Sequence, residues 1–107
     1  MNILITSAGR RVSLVKAFQH ELIKLVPDGL VMTTDYNIKL SAACHISDKA
    51  FKLPLVTDPS YLNLLLEICL ANDIKLIIPT IDTELLLLAK NFLLMGEFSL
   101  ISKNAYQ

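Results

Sequence analysis

The stretch Thr6-Ser7-Ala8-Gly9-Arg10-Arg11 joins the apolar run Ile3-Leu4-Ile5 to an amphipathic segment beginning at Val12. These residue types suit an anion. Gly9 lets the backbone turn tightly and present N–H groups, Ser7 offers a hydroxyl or a helix cap, and Arg10 and Arg11 bring two cations to the amino end of a helix. Cations there oppose the helix dipole, by roughly 0.3 to 1 kcal/mol each. Either an anionic ligand visits them or a nearby carboxylate neutralises them; the plainer alternative is a strand-to-helix turn with solvated arginines. Two of the three glycines of the dinucleotide fingerprint GxGxxG are missing, so the loop is a weak dinucleotide motif.

A second group is Thr80, Asp82 and Glu84, in Pro79-Thr80-Ile81-Asp82-Thr83-Glu84. Acids at a helix start are favoured by the dipole and by capping, so a structural role is sufficient for them. Asp82 or Glu84 is also a candidate partner for Arg10 or Arg11, as a static ion pair or as the second pole of a site for a carboxylate or zwitterion. The third candidate is Asp35, 26 residues beyond Gly9. An acid near this position bonds a ribose hydroxyl in nucleotide-binding Rossmann domains; the other reading is the opening of a turn, Asp35-Tyr36-Asn37.

The elements that must position these residues follow from the hydrophobic pattern. Residues 2–6 form a short apolar run of the kind buried on both faces of a parallel sheet. In 10–25, Val15, Phe18, Leu22 and Leu25 recur at helical spacing, and Pro27-Asp28-Gly29 ends the helix. Strands are expected at 30–34, 50–53, 75–79 and 98–101, and helices at 40–46, 58–71 and 82–95. Asp58 is read as the N-cap of its helix, with Pro59 in the first turn. The alternation predicts an α/β fold, a Rossmann-like three-layer α/β/α sandwich with a mostly parallel five-stranded sheet in the order 3-2-1-4-5. The loops after Thr6 and Pro79 would then flank one crevice, where open α/β sheets bind ligands.

With 107 residues, one domain spanning 1–107 is expected. Ten basic residues balance ten acidic ones, and no basic stripe points to nucleic acid. Cys44 and Cys69 lack the spacing of a metal site and read as buried thiols in a reducing compartment. His20 and His45 stand apart from each other and from the loops above. No apolar stretch approaches the roughly 18 residues of a membrane span, and the start lacks the pattern of a signal peptide. These features predict a soluble, cytoplasmic chain without membrane or metal binding. The hydrophobic share is high, at 53%, and Leu85-Leu86-Leu87-Leu88 with Phe92-Leu93-Leu94-Met95 is apolar nearly all round. That helix is expected to dock against another domain or subunit, which favours a homo-oligomer; a tightly enclosed core helix is the alternative.

The segments ILITSAGRRVSLVKAF, TTDYN and LIIPTIDTELLLLAK occur in an order and spacing that resemble one family, the N-terminal, pre-ATP-grasp domain of ATP-grasp ligases, most closely those similar to the carbamoyl-phosphate synthase large subunit. The resemblance covers almost the whole chain. It implies activation of a carboxylate by ATP through an acyl phosphate, with ATP and Mg2+ held by later domains. It also implies that Ser7, Gly9, Arg10 and Arg11 face a carboxylate-bearing small molecule or its acyl phosphate, and that Asp35, Thr80, Asp82 and Glu84 line the same crevice. The phosphate-holding lysines and metal-holding acids of an ATP-grasp core have no counterpart before Gln107. The chain is therefore expected to hold no cofactor or catalytic residue of its own and to be inactive without an ATP-grasp partner, whether a further segment or a separate chain. A free-standing Rossmann-like nucleotide-binding module is the alternative. A receiver domain is disfavoured, since Thr6-Ser7-Ala8 and Pro54-Leu55 stand where its acids belong; a pure interaction module has only the apolar helix in its favour.

Overall fold

The computed structural model describes residues 1–91 of the chain. Strand β1 (Asn2–Thr6) is followed by helix α1 (Val12–Leu25), strand β2 (Val31–Asp35), a short 3-10 turn (Ile38–Leu40), helix α2 (Ala42–Ile46) and strand β3 (Lys49–Lys52). Helix α3 (Tyr61–Ala71), strand β4 (Ile74–Pro79) and helix α4 (Asp82–Lys90) complete the described part. All four strands run parallel in the order β3-β2-β1-β4. The expected fifth strand at 98–101 and the far end of the last helix lie outside the described residues.

The central strands are buried on both faces, with Ile3, Leu4 and Ile5 of β1 and Val31 and Met32 of β2 sent alternately to opposite sides by the period of two. Ile3, Ile5 and Val31 face α1 and α2, where they meet Val15, Leu22, Ala43 and Cys44. Leu4 and Met32 face α3 and α4, where they meet Leu65, Cys69 and Leu88. Each such fully buried leucine contributes on the order of 2 kcal/mol. The result is the expected three-layer arrangement, with helices on both sides of the sheet.

Two helix starts differ from the expectation. Helix α1 begins at Val12, with Arg11 as its N-cap and no side-chain cap, so both arginines precede the helix rather than occupy its first turn. Asp58 does not cap α3 directly. Its Oδ1 accepts from the N–H and the hydroxyl of Ser60, at 2.8 and 2.7 Å, and Ser60 becomes the N-cap. Asp and Pro here build a turn that delivers Tyr61 to the first buried position of the helix, a choice that pattern alone does not resolve.

Gly29 lies where the α1–β2 connection crosses the start of the chain. A Cβ there would sit 2.9 Å from Cγ and Cδ2 of the buried Leu22 and 3.1 Å from the carbonyl oxygen of Met1. Gly29→Ala should therefore destabilise the domain by about 1 to 3 kcal/mol, the usual cost of overpacking. Urea unfolding of the two chains checks this, and equal midpoints would contradict it.

Candidate functional site

In a parallel sheet every strand ends on the same edge, so the loops after Thr6, Asp35 and Pro79 are neighbours. The chain moves outward from β1 to β2 and β3, then crosses back to place β4 on the other side of β1. The carboxyl ends of β1 and β4 thus form the topological switch point, the usual ligand position of open α/β sheets.

At that point Glu84 is 1% exposed and sits in the first turn of α4. Its Oε1 accepts from the Thr6 hydroxyl at 2.9 Å. Its Oε2 accepts from the Ser7 hydroxyl at 2.6 Å and the Tyr61 hydroxyl at 2.5 Å. One carboxylate therefore joins the end of β1, the glycine loop, the start of α3 and the start of α4. The expected pairing of Glu84 with Arg10 or Arg11 is corrected by this geometry: hydroxyls, not guanidinium groups, hold the buried carboxylate. Burial, reinforced by the adjacent Glu84 charge, holds the Tyr61 phenol well above its ordinary value of 10.0, so it stays a proton donor.

The loop itself is bent at two left-handed residues, Ser7 (φ 49°) and Gly9 (φ 50°). Glycine adopts this conformation freely, whereas a serine costs roughly 1 to 2 kcal/mol there. Its neighbours hold it. The Ser7 side chain is anchored on Glu84, and the Thr80 hydroxyl lies 2.8 Å from the carbonyl oxygens of both Thr6 and Ser7, one donor shared between two acceptors. Ser7 thus braces the turn and does not cap α1.

Two N–H groups of the loop are also engaged. Ala8 donates to the carbonyl of Thr34 at 3.0 Å. Gly9 donates to Oδ2 of Asp35 at 2.8 Å, while Oδ1 of the same residue accepts from the N–H of Asn37 at 3.0 Å. Asp35 opens the turn after β2 and fills the place at Gly9 that an anionic ligand would take.

Arg10 is exposed, and Arg11 reaches across to the carbonyl oxygen of Thr80 at 3.0 Å. Neither forms an ion pair among the described residues. Asp82 is exposed, and it too is without an ion pair among the described residues. Of the candidates, Ser7, Gly9, Asp35, Thr80 and Glu84 are linked in one network around the loop, Arg11 touches it through Thr80, and Arg10 and Asp82 stand at its surface.

Sequence reasoning missed Thr6 and Tyr61. Thr6 reads as the polar end of a strand and Tyr61 as a helix residue with no partner in sequence. Only a third element bringing Glu84 between them reveals their role. Among the described residues, no group of three or more His, Cys, Asp and Glu is placed to hold a metal ion, and no helix is long and apolar enough to cross a membrane. Cys44 and Cys69 are both free and buried.

A parallel sheet in the order β3-β2-β1-β4 with helices on both faces defines an α/β domain. The chain belongs to the PylC-like N-terminal domain family, the pre-ATP-grasp domain of ATP-grasp ligases, whose family model matches residues 3–98. No curated protein matches it significantly. Membership places the chain among the parts of ATP-grasp-type ligases.

Two measurements test the network. Glu84→Ala leaves three hydroxyls without their acceptor and should cost about 3 kcal/mol or more, whereas Glu84→Gln keeps one carbonyl acceptor and should cost about half as much. Urea unfolding gives both numbers, and a cost for Gln equal to that for Ala would remove the hydroxyl network as the source. Raising the pH tests the buried acids. Burial pushes the Cys69 thiol from 9.0 up to about 12, and Tyr61 is raised as well. The unfolded chain then releases these protons first, so their stabilisation is complete below about pH 9 and declines above it. Thermal melts from about pH 8 to about pH 12 should show that fall, and Cys69→Ala should flatten its early part.

Proposed function

We propose that this domain is the substrate-side wall of an ATP-grasp ligase of the carbamoyl-phosphate synthase-like or carboxylate–amine type. Its loop faces a carboxylate-bearing small molecule or the acyl phosphate made from it. The observation that carries this reading is the state of Arg10 and Arg11: two exposed cations at the switch point, next to the amino end of α1, with no acid paired to them among the described residues. Buried neighbours supply the other half of the argument. Glu84 and Asp35 are spent on bracing the loop, which leaves the arginines for a ligand.

In this reading ATP and Mg2+ are held by an ATP-grasp domain, on the same polypeptide or on another, and this domain contributes substrate contacts without chemistry of its own. Ser7, Gly9, Thr80 and Glu84 set the loop, Asp35 fixes its N–H, and Asp82 borders the opening. The setting is cytoplasmic, and the apolar surface of α4, with Leu85 and Leu86 exposed, packs on the partner domain or on a second copy.

A free-standing nucleotide module is the competing reading. Calorimetric titration of the chain with Mg-ATP and with NAD separates the two. The ligase reading expects no micromolar binding of either, while micromolar NAD binding would replace it. In a complete ligase carrying this domain, Arg10→Ala should raise KM for the carboxylate substrate about tenfold, the loss of one charge-assisted contact, with KM for ATP little changed. Unchanged carboxylate kinetics would overturn the assignment.

A further inference from the structure

A second concave surface lies on the same edge of the sheet, beside β2 and β3. Tyr36, Asn37, Ile38, Lys39 and Lys52 line a cavity of about 470 Å³. That volume is within the usual range for small-molecule sites. Partly buried Ile38 gives it an apolar wall, Tyr36 a flat one, and the two lysines its charge.

Those charges are uncompensated. Neither Lys39 nor Lys52 has an ion-pair or hydrogen-bond partner for its ammonium among the described residues. Lys52 stands in register with Asp35 across the β2–β3 pair, the natural place for an ion pair. Yet both oxygens of Asp35 are already bonded, to the N–H groups of Gly9 and Asn37. Lys52 lies instead over the ring of Tyr36, 5.9 Å from its centre. At that distance a cation–π contact is a weak resting place that a true anion displaces.

We propose that this cavity binds a phosphate monoester. Two lysines match the charge of a group that carries close to two negative charges at neutral pH and offers three acceptor oxygens. The apolar and aromatic walls take the organic body. Asn37 supplies a side-chain amide at the rim. The site is separate from the arginine loop and does not depend on the ligase reading.

The test is a two-dimensional amide NMR titration of the 107-residue chain with phenyl phosphate, and in parallel with benzoate, which keeps the ring but carries a single charge. Phenyl phosphate should shift the amides of Tyr36, Asn37, Lys39 and Lys52 and bind about tenfold more tightly than benzoate. Lys39→Ala and Lys52→Ala should each weaken it about tenfold, the value of one charge-assisted hydrogen bond, while Lys16→Ala on the exposed face of α1 leaves it unchanged. Both lysines of the cavity are exposed, so their replacement leaves the core intact. Equal binding of benzoate, shifts centred on Arg10 and Arg11, or affinity indifferent to both lysine substitutions would each overturn the proposal.

Discussion

The carboxylate of Glu84 is the point on which the switch-point end of the domain depends. Burying an ionisable group is unfavourable unless its lone pairs are used, and here three hydroxyls from two distant parts of the chain use them. Because Thr6, Ser7 and Tyr61 are far apart in sequence from Glu84, their bonds exist only in the folded state. The first turns of α3 and α4 are thereby tied to the end of β1. The same bonds hold Ser7 in a left-handed conformation that serine resists, so the shape of the glycine loop is imposed from beneath.

That imposed shape determines what the loop can offer. A nucleotide fingerprint presents free N–H groups to a pyrophosphate, and glycines allow the close approach. In this chain the N–H of Ala8 is taken by Thr34 and that of Gly9 by Asp35. A diphosphate would have to displace a carboxylate already in place. With those two N–H groups engaged, the exposed side chains that the loop holds out are arginines. Guanidinium groups recognise planar carboxylates and phosphoryl oxygens in pairs.

Much of the scaffold was legible in the sequence because it rests on local pattern. The apolar runs at Ile3-Leu4-Ile5 and Leu76-Ile77-Ile78, the helical spacing of Val15 and Leu22, and the punctuation at Pro27-Asp28-Gly29 each state their element directly. The order of the four described strands agrees with the one usual for sheets that begin with a strand, a glycine loop and a helix. What remained hidden was direction: whether Glu84 faces solvent, as an acid in a first turn usually does, or faces inward. That depends on Thr6 and Tyr61 arriving beside it, which no local rule encodes. Of the two acids offered as candidate partners of the arginines, Glu84 is withdrawn for the same reason, since hydroxyls closer at hand satisfy it.

The inward turn of acids has an electrostatic consequence for a chain whose formal charges cancel. Asp35 and Glu84 spend their oxygens on backbone N–H groups and hydroxyls, so those oxygens are not available to pair with the cations of the carboxyl edge. Arg10, Arg11, Lys39 and Lys52 are exposed on the same edge, with Asp58 and Asp82 as exposed acids among those discussed. A chain with balanced charges thus presents cations without ion-pair partners among the described residues at this edge, through the assignment of its hydrogen bonds and without any excess of basic residues. Cations left unpaired in this way remain available to an anionic group at the mouth of the sheet, because the acids nearest to them are engaged in holding the fold together.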